Sequence, residues 1–320
     1  MPLLDHPSSH NNSHNHCHHH HTPVSFGRAF AVGIAANTSY LIIEAICGVL
    51  YHSLSLLADA GHNLFDVITL AAAWLADYLS HKKPSPSFTY GLRRSTILIA
   101  FINALLLIVV AGGIIWAAIL HLLNPPTPLP TEQGMMIIAT LGIVVNGFSA
   151  MLFSSGQKDD INIRSVFLHM LFDALSSFSV VIAGALILLT GSHWIDPTLS
   201  LIIASVICFG TWSLLKDSLH MTLDAVPKKI NASGLKTYLR DIPGIIDFHD
   251  LHIWSISTTE TALTVHLVRS SIPLTPQAET KLLGDIIHTL HQRFGIAHST
   301  VQIETQDYAA FCHHTYTHTV

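Results

Sequence analysis

Charge is the scarcest property of this chain. Only 11% of its 320 residues are Asp, Glu, Lys or Arg, against roughly 25% in ordinary soluble domains. With 50% hydrophobic residues and mean hydropathy +0.47, it has too little polar surface to cover its apolar side chains in water. A bilayer is the solvent that accepts it. The 15 Lys and Arg form no basic patch able to neutralise phosphates, which excludes nucleic acid as a partner. Cysteine is equally sparse. Cys17, Cys47, Cys208 and Cys312 are scattered, two in apolar stretches and two beside histidines, so no disulfide framework exists. The N-terminus has no apolar h-region, which predicts no cleavable signal peptide. No His-Glu-x-x-His occurs, which argues against a membrane-embedded zinc hydrolase and for a chain that is not an enzyme.

Histidine, by contrast, is abundant: 24 residues, eight of them (His6, His10, His14, His16 and His18 to His21) near the start. Residues 1–24 contain little that could pack, so they are expected to be a disordered, metal-collecting tail. Interleaving with Asn, Ser and Cys17 is unlike an appended purification run. Phe311, Cys312, His313, His314 and His318 make a second soft-ligand cluster in a tail at 308–320, which reads equally as a frayed end.

Six apolar stretches follow the first tail, at 29–50, 54–79, 96–122, 134–153, 166–189 and 197–215. Each is near the ~20 residues that a membrane-crossing helix needs. Lys and Arg distribute asymmetrically around them. Arg28, Lys82, Lys83, Arg93, Arg94, Lys158, Arg164 and Lys216 all fall on the side of the N-terminus, and the other three connections contain neither residue. The positive-inside rule then places both termini in the cytoplasm. Trp116 and Trp194 are expected as interface anchors on the far side. The short loops favour a bacterial inner membrane. Residues 25–216 form the predicted transmembrane domain.

Within these apolar stretches a pattern recurs. His62-Asn63-Leu64-Phe65-Asp66 and His169-Met170-Leu171-Phe172-Asp173 both read His-x-x-x-Asp. Residues four apart share a helix face, so each copy presents one imidazole nitrogen and one carboxylate oxygen to the same point. Two such helices supply a tetrahedral N2O2 donor set suited to Zn2+. Ionisable groups in membrane helices are costly and mark ion pathways. Two satisfied His/Asp pairs gluing helices would be the bland use of the same residues. Asp59, three residues before His62, is placed to orient that imidazole, and reads equally as an interfacial acid at the start of the helix. Glu44, Asn37, Asn103 and Asn146 are expected to hydrogen-bond between helices, and Gly112, Gly113, Gly142, Gly147 and Gly184 to permit close packing or bending.

After Lys216 the pattern changes. Helical spacing at 232–240 and 276–294 and alternation at 245–257, 261–269 and 300–304 give the order α-β-β-α-β. This is a small α+β domain at 217–307, of a size that folds alone.

Together these residues resemble the cation diffusion facilitator family of zinc/cation–proton antiporters, over about residues 27–305. The resemblance rests on Ser-Leu-Ser-Leu-Leu-Ala-Asp-Ala-Gly-His at 53–62 with Asp66, Phe-Leu-His-Met-Leu-Phe-Asp-Ala-Leu at 167–175, Asp196-Pro197, and His249-Asp250-Leu251-His252-Ile253-Trp254. It implies a six-helix membrane domain, a ferredoxin-like cytoplasmic domain and a homodimer. His62, Asp66, His169 and Asp173 become the transport site of the zinc-type, two-His two-Asp branch, with no catalytic cofactor. The resemblance also implies a regulatory cytoplasmic metal site, for which His249, His266 and Glu304 are the matching positions. Glu304 stands where the best-known pattern has His, so metal binding there stays open. The loop at His81-Lys82-Lys83-Pro84 lacks the paired ligands of an extra surface site. The expected activity is efflux of Zn2+ in exchange for protons. Cadmium, cobalt, nickel or iron(II) as cargo, and a metal-sensing receptor using the His tails, are the competing readings.

Overall fold

The structure is a computed structural model, described over residues 26–50, 54–123, 132–192, 194–270 and 275–309. The two His-bearing tails, Cys17 and Cys312 lie outside the described residues, as does the side chain of Asp59. Six helices come first: α1 (Gly27–Leu50), α2 (Leu54–Ser80), α3 (Ser95–Leu123), α4 (Glu132–Phe153), α5 (Ile161–Thr190) and α6 (Ile195–Thr222). Among the described residues, α1, α3, α4, α5 and α6 are long and apolar enough to cross a membrane. The 27-residue α2 is long enough too, and it is the helix that carries His62, Asn63 and Asp66. The chain is an integral, multi-pass membrane protein.

Helix ends differ from the apolar stretches in an instructive way. The α5 helix starts at Ile161, where the Asp160 carboxylate accepts the Asn162 backbone N–H as its N-cap, and ends at Gly191 in the left-handed conformation. The α6 helix continues to Thr222, past Lys216, Asp217 and His220. Hydropathy marks the part of a helix that sits in lipid, and both helices project beyond it.

The most extensive helix contacts are α3 with α6, α4 with α5 and α1 with α2. Buried amides join neighbours: Asn37 donates to Ser149 Oγ at 2.9 Å, and Asn63 donates to the Glu44 carboxylate at 2.5 Å. Such bonds hold helices together where lipid supplies no hydrophobic drive. Gly142 and Gly184 permit close approach. A Cβ on the first would meet Ser177 Oγ at 2.9 Å, and on the second the Met136 side chain at 2.8 Å. Gly112, Gly113 and Gly147 do not serve this purpose, since a Cβ on each would meet nothing within 4 Å. Trp116 and Trp194 are exposed.

The soluble part adds α7 (Ala232–Arg240), β1 (Ile245–Ser255), β2 (Thr261–Arg269), α8 (Pro276–Phe294) and β3 (His298–Glu304). The sheet order is β1-β2-β3, antiparallel then parallel. Parallel pairing requires a crossover, which α8 supplies. Leu235 and Leu239 of α7, Ile286 and Leu290 of α8, and Leu263, Val265 and Leu267 of β2 share one core. Strand alternation sends His266 to the other sheet face.

The β1–β2 turn meets the membrane helices. Thr258 N–H donates to Thr96 Oγ1 at 3.2 Å, Arg93 pairs with Glu260, and Arg94 pairs with Asp224 at 2.6 Å. Nearby, burial pushes the Asp160 carboxyl above its ordinary value, opposed by hydrogen bonds from Thr258 and backbone amides. Burial also lowers the Lys229 ammonium, opposed by Asp160, Glu260 and Asp159.

Candidate functional site

The four intramembrane candidates converge between α2 and α5. His169 Nε2 lies 2.9 Å from Asp66 Oδ1 and 3.5 Å from Asp173 Oδ2, so one imidazole nitrogen bridges carboxylates from two helices. His62, Asp66 and Asp173 each place a ligand atom within 4.8 Å of the others. Helix periodicity brings each His to its own Asp. Packing of α2 on α5 brings the pairs together. Asp66 is 2% exposed and His169 8%, both far below what an isolated charge tolerates. His62 is exposed, and with Asp173 it lines a cavity of about 510 Å³. That cavity extends past Ser177, Ile138 and Val180, away from the soluble domain. Toward the soluble domain the space is filled by Leu70, Ala73, Ile163, Val166 and Met170, all buried. Among the described residues, the cavity opens on the side away from the soluble domain.

A divalent cation centred on the converging atoms of His62, Asp66 and Asp173 would find one imidazole nitrogen and two carboxylates, with the second imidazole, His169, bonded to those carboxylates alongside. Asp66 Oδ2 has no hydrogen-bond partner among the described residues, which leaves an acceptor free for a cation. Imidazole nitrogen and carboxylate oxygen are donors that suit Zn2+.

In the soluble domain, Glu304 is 3% exposed. It lies between His266, whose Nδ1 is 2.6 Å from Oε1, and His249, whose Nε2 is 3.4 Å from Oε2. These three form the second group of converging ligand atoms. Asp250 is left-handed (φ +50°) and sits where the β1–β2 register shifts between His249 and His252. Such a bulge re-aims the preceding side chain, here His249. Gln302 also donates to Glu304 Oε1, at 2.8 Å. Alternation of Gln302 with Glu304 on one face of β3 is the sequence signal for that role.

The fold and these centres define a class: a multi-pass helical membrane protein with a partly buried cluster of His and Asp between its helices and an appended α+β domain. The comparisons narrow it. Residues 30–221 match the cation efflux transmembrane domain, and residues 227–306 match the cation efflux protein cytoplasmic domain. The cadmium, cobalt and zinc/H(+)-K(+) antiporter of Bacillus subtilis is 40% identical over 84% of this chain and 86% of its own length. The metal cation efflux system protein CzcD of Cupriavidus metallidurans is 35% identical over 87% of this chain and 86% of its own. The zinc transporter ZitB of Escherichia coli is 36% identical over the same shares. The chain belongs to the cation efflux family, the cation diffusion facilitators.

Proposed function

We propose that this protein exports Zn2+ from the cytoplasm in exchange for protons, by alternating access around His62, Asp66, His169 and Asp173. The single observation that carries the reading is the convergence of these four side chains, two of them buried, at the inner end of a cavity that opens away from the soluble domain. The relatives' names supply the cargo class, with zinc common to the antiporter and ZitB, and H(+) as a counter-ion in the former. Cadmium and cobalt remain cargo alternatives, since both suit the same donors.

Proton coupling follows from ligand chemistry. Metal ligands must be deprotonated, so cation and protons compete for the same atoms. Histidine switches charge in the working range and is the natural carrier. His169 Nε2 lies 2.9 Å from Asp66 Oδ1, so a proton on that nitrogen would be held by the same carboxylate that would otherwise face the cation. A membrane potential drives any charge imbalance in the exchange by about 2.3 kcal/mol per charge per 100 mV.

The Lys/Arg asymmetry supports cytoplasmic termini, which puts the cavity on the outer side and makes this the outward-facing arrangement. The membrane is proposed to be a bacterial inner membrane. The chain divides at about residues 216 and 217 into transport and cytoplasmic domains, and acts as a homodimer through the latter. His249, His266 and Glu304 would hold a regulatory divalent cation. Two imidazoles around a buried carboxylate fit that ion, and the step of transport itself needs none of them.

A sensor built on the His-rich tails would not need buried ligands at mid-membrane. Removing residues 1–22 separates the readings. A transporter keeps zinc flux with altered apparent affinity; loss of all zinc-dependent response on truncation would overturn the transport reading.

A further inference from the structure

Three buried side chains lie between the quartet and the soluble-domain end of the bundle. Asn162 and Ser165 precede His169 by seven and four residues, so they share its stripe of α5. Ala73 follows Asp66 by seven residues, on the matching stripe of α2. Asn162 Nδ2 donates to Ala73 O at 3.2 Å, and Ser165 Oγ donates to Asn162 O at 2.7 Å. From α3, Asn103 Nδ2 donates to Ser165 Oγ at 3.2 Å. None of the three side chains is more than 3% exposed. At 1.5 Å per residue, Asn162 lies about 10 Å along α5 from the quartet.

The amide nitrogens are all used; the amide oxygens are not. Asn103 Oδ1 and Asn162 Oδ1 are buried with no hydrogen-bond partner among the described residues. A buried acceptor left unpaired keeps its desolvation penalty with nothing to offset it. Helix-gluing residues would be expected to use both ends. Two idle oxygens, one on the α5 stripe that leads to the quartet and one beside it on α3, have a use if another conformation gives them a positively charged or hydrated partner.

We propose that Asn103 and Asn162, with Ser165, form a way station for a partly hydrated divalent cation between the cytoplasm and the quartet, closed in this arrangement. The inference rests on the transport reading above. When α2 and α5 part on the soluble-domain side, the Asn162–Ala73 bond opens. The neutral oxygens then replace part of the ion's water shell. Neutral amide and hydroxyl oxygens hold a divalent cation weakly, as a step that must also release requires.

The test uses the full chain in proteoliposomes, with zinc supplied on the soluble-domain side, and zinc binding to the detergent-solubilised protein measured in parallel. Asn103→Ala and Asn162→Ala are expected to slow initial uptake about tenfold, the scale of one lost oxygen contact, with zinc affinity unchanged. Asn103→Asp restores uptake, because it returns the oxygen while removing the donor that binds Ser165. Wild-type uptake in both alanine variants overturns the proposal. So does an Asp variant as slow as the Ala variant, or a zinc affinity that falls with the rate, since both describe helix glue. Asp66→Ala run alongside distinguishes the two levels. Uptake surviving in that variant removes the quartet and the way station together. Uptake lost there but normal in the asparagine variants removes the way station alone.

Discussion

Replacing Asp66 by Asn keeps the shape of the side chain and removes its charge. Asp66 is 2% exposed, and its carboxylate lies 2.9 Å from His169 Nε2. The variant leaves His62, His169 and Asp173 in place, so the bundle persists while the donor set loses one of two anions. Zinc at about 100 times its Kd stabilises the wild type by about 2.7 kcal/mol. At 2–4 °C per kcal/mol, that raises Tm by about 5–10 °C. If loss of one anionic ligand weakens binding about a hundredfold, the same zinc concentration stabilises Asp66→Asn by only about 0.4 kcal/mol, or about 1 °C. The assay is thermal unfolding of the full chain in detergent with and without zinc. A Glu304→Gln background leaves the intramembrane centre to report alone. A zinc-induced rise in Asp66→Asn equal to that of the parent would refute the assignment of Asp66 as a ligand.

Other predictions follow from the surroundings. Because burial raises the Asp160 carboxyl, the folded protein holds that proton more tightly than the unfolded chain. Its stabilising share is therefore fully present below the unfolded pKa and drains as pH rises through the raised value. The Tm difference between wild type and Asp160→Asn should shift toward the variant as pH rises above the ordinary carboxyl value of about 4; a constant difference contradicts this. Gly142→Ala places a Cβ 2.9 Å from Ser177 Oγ and should cost about 1–3 kcal/mol of overpacking, read as lost thermal stability and relieved when Ser177→Ala is added. No relief would show that the contact is not the cause. Asp250→Gly should preserve the soluble domain, since φ is +50°, whereas Asp250→Val should destabilise it by about 1–2 kcal/mol, read by denaturant unfolding; equal stability of the two variants would remove the argument for strain at the bulge.

The sequence made the spans, the α-β-β-α-β order and the four intramembrane candidate residues legible, each through a different periodicity. Hydropathy located the helices, alternation located β1 and β2, and the repeated His-x-x-x-Asp located the centre. Its limit is that periodicity describes one element at a time. The α2–α5 pairing that brings His169 to Asp66 across 103 positions is a tertiary fact. So are the docking of Thr258 on Thr96 and the pairing of Arg93 with Glu260. Asn162 and Ser165 sit in the α5 turns that the apolar stretch omits, because hydropathy starts the helix at Val166 and the capped helix starts at Ile161. Gly112 and Gly147 show the converse: glycine in an apolar run does not by itself mark a close approach.

The most direct test of the quartet as the transport centre is zinc uptake into proteoliposomes under an imposed pH gradient, comparing wild type with His62→Ala, Asp66→Ala, His169→Ala and Asp173→Ala. Gradient-driven uptake by the wild type, abolished in the Asp66, His169 and Asp173 variants and strongly reduced in His62→Ala while each remains folded, is the predicted result. Normal gradient-driven flux in Asp66→Ala and His169→Ala would contradict it.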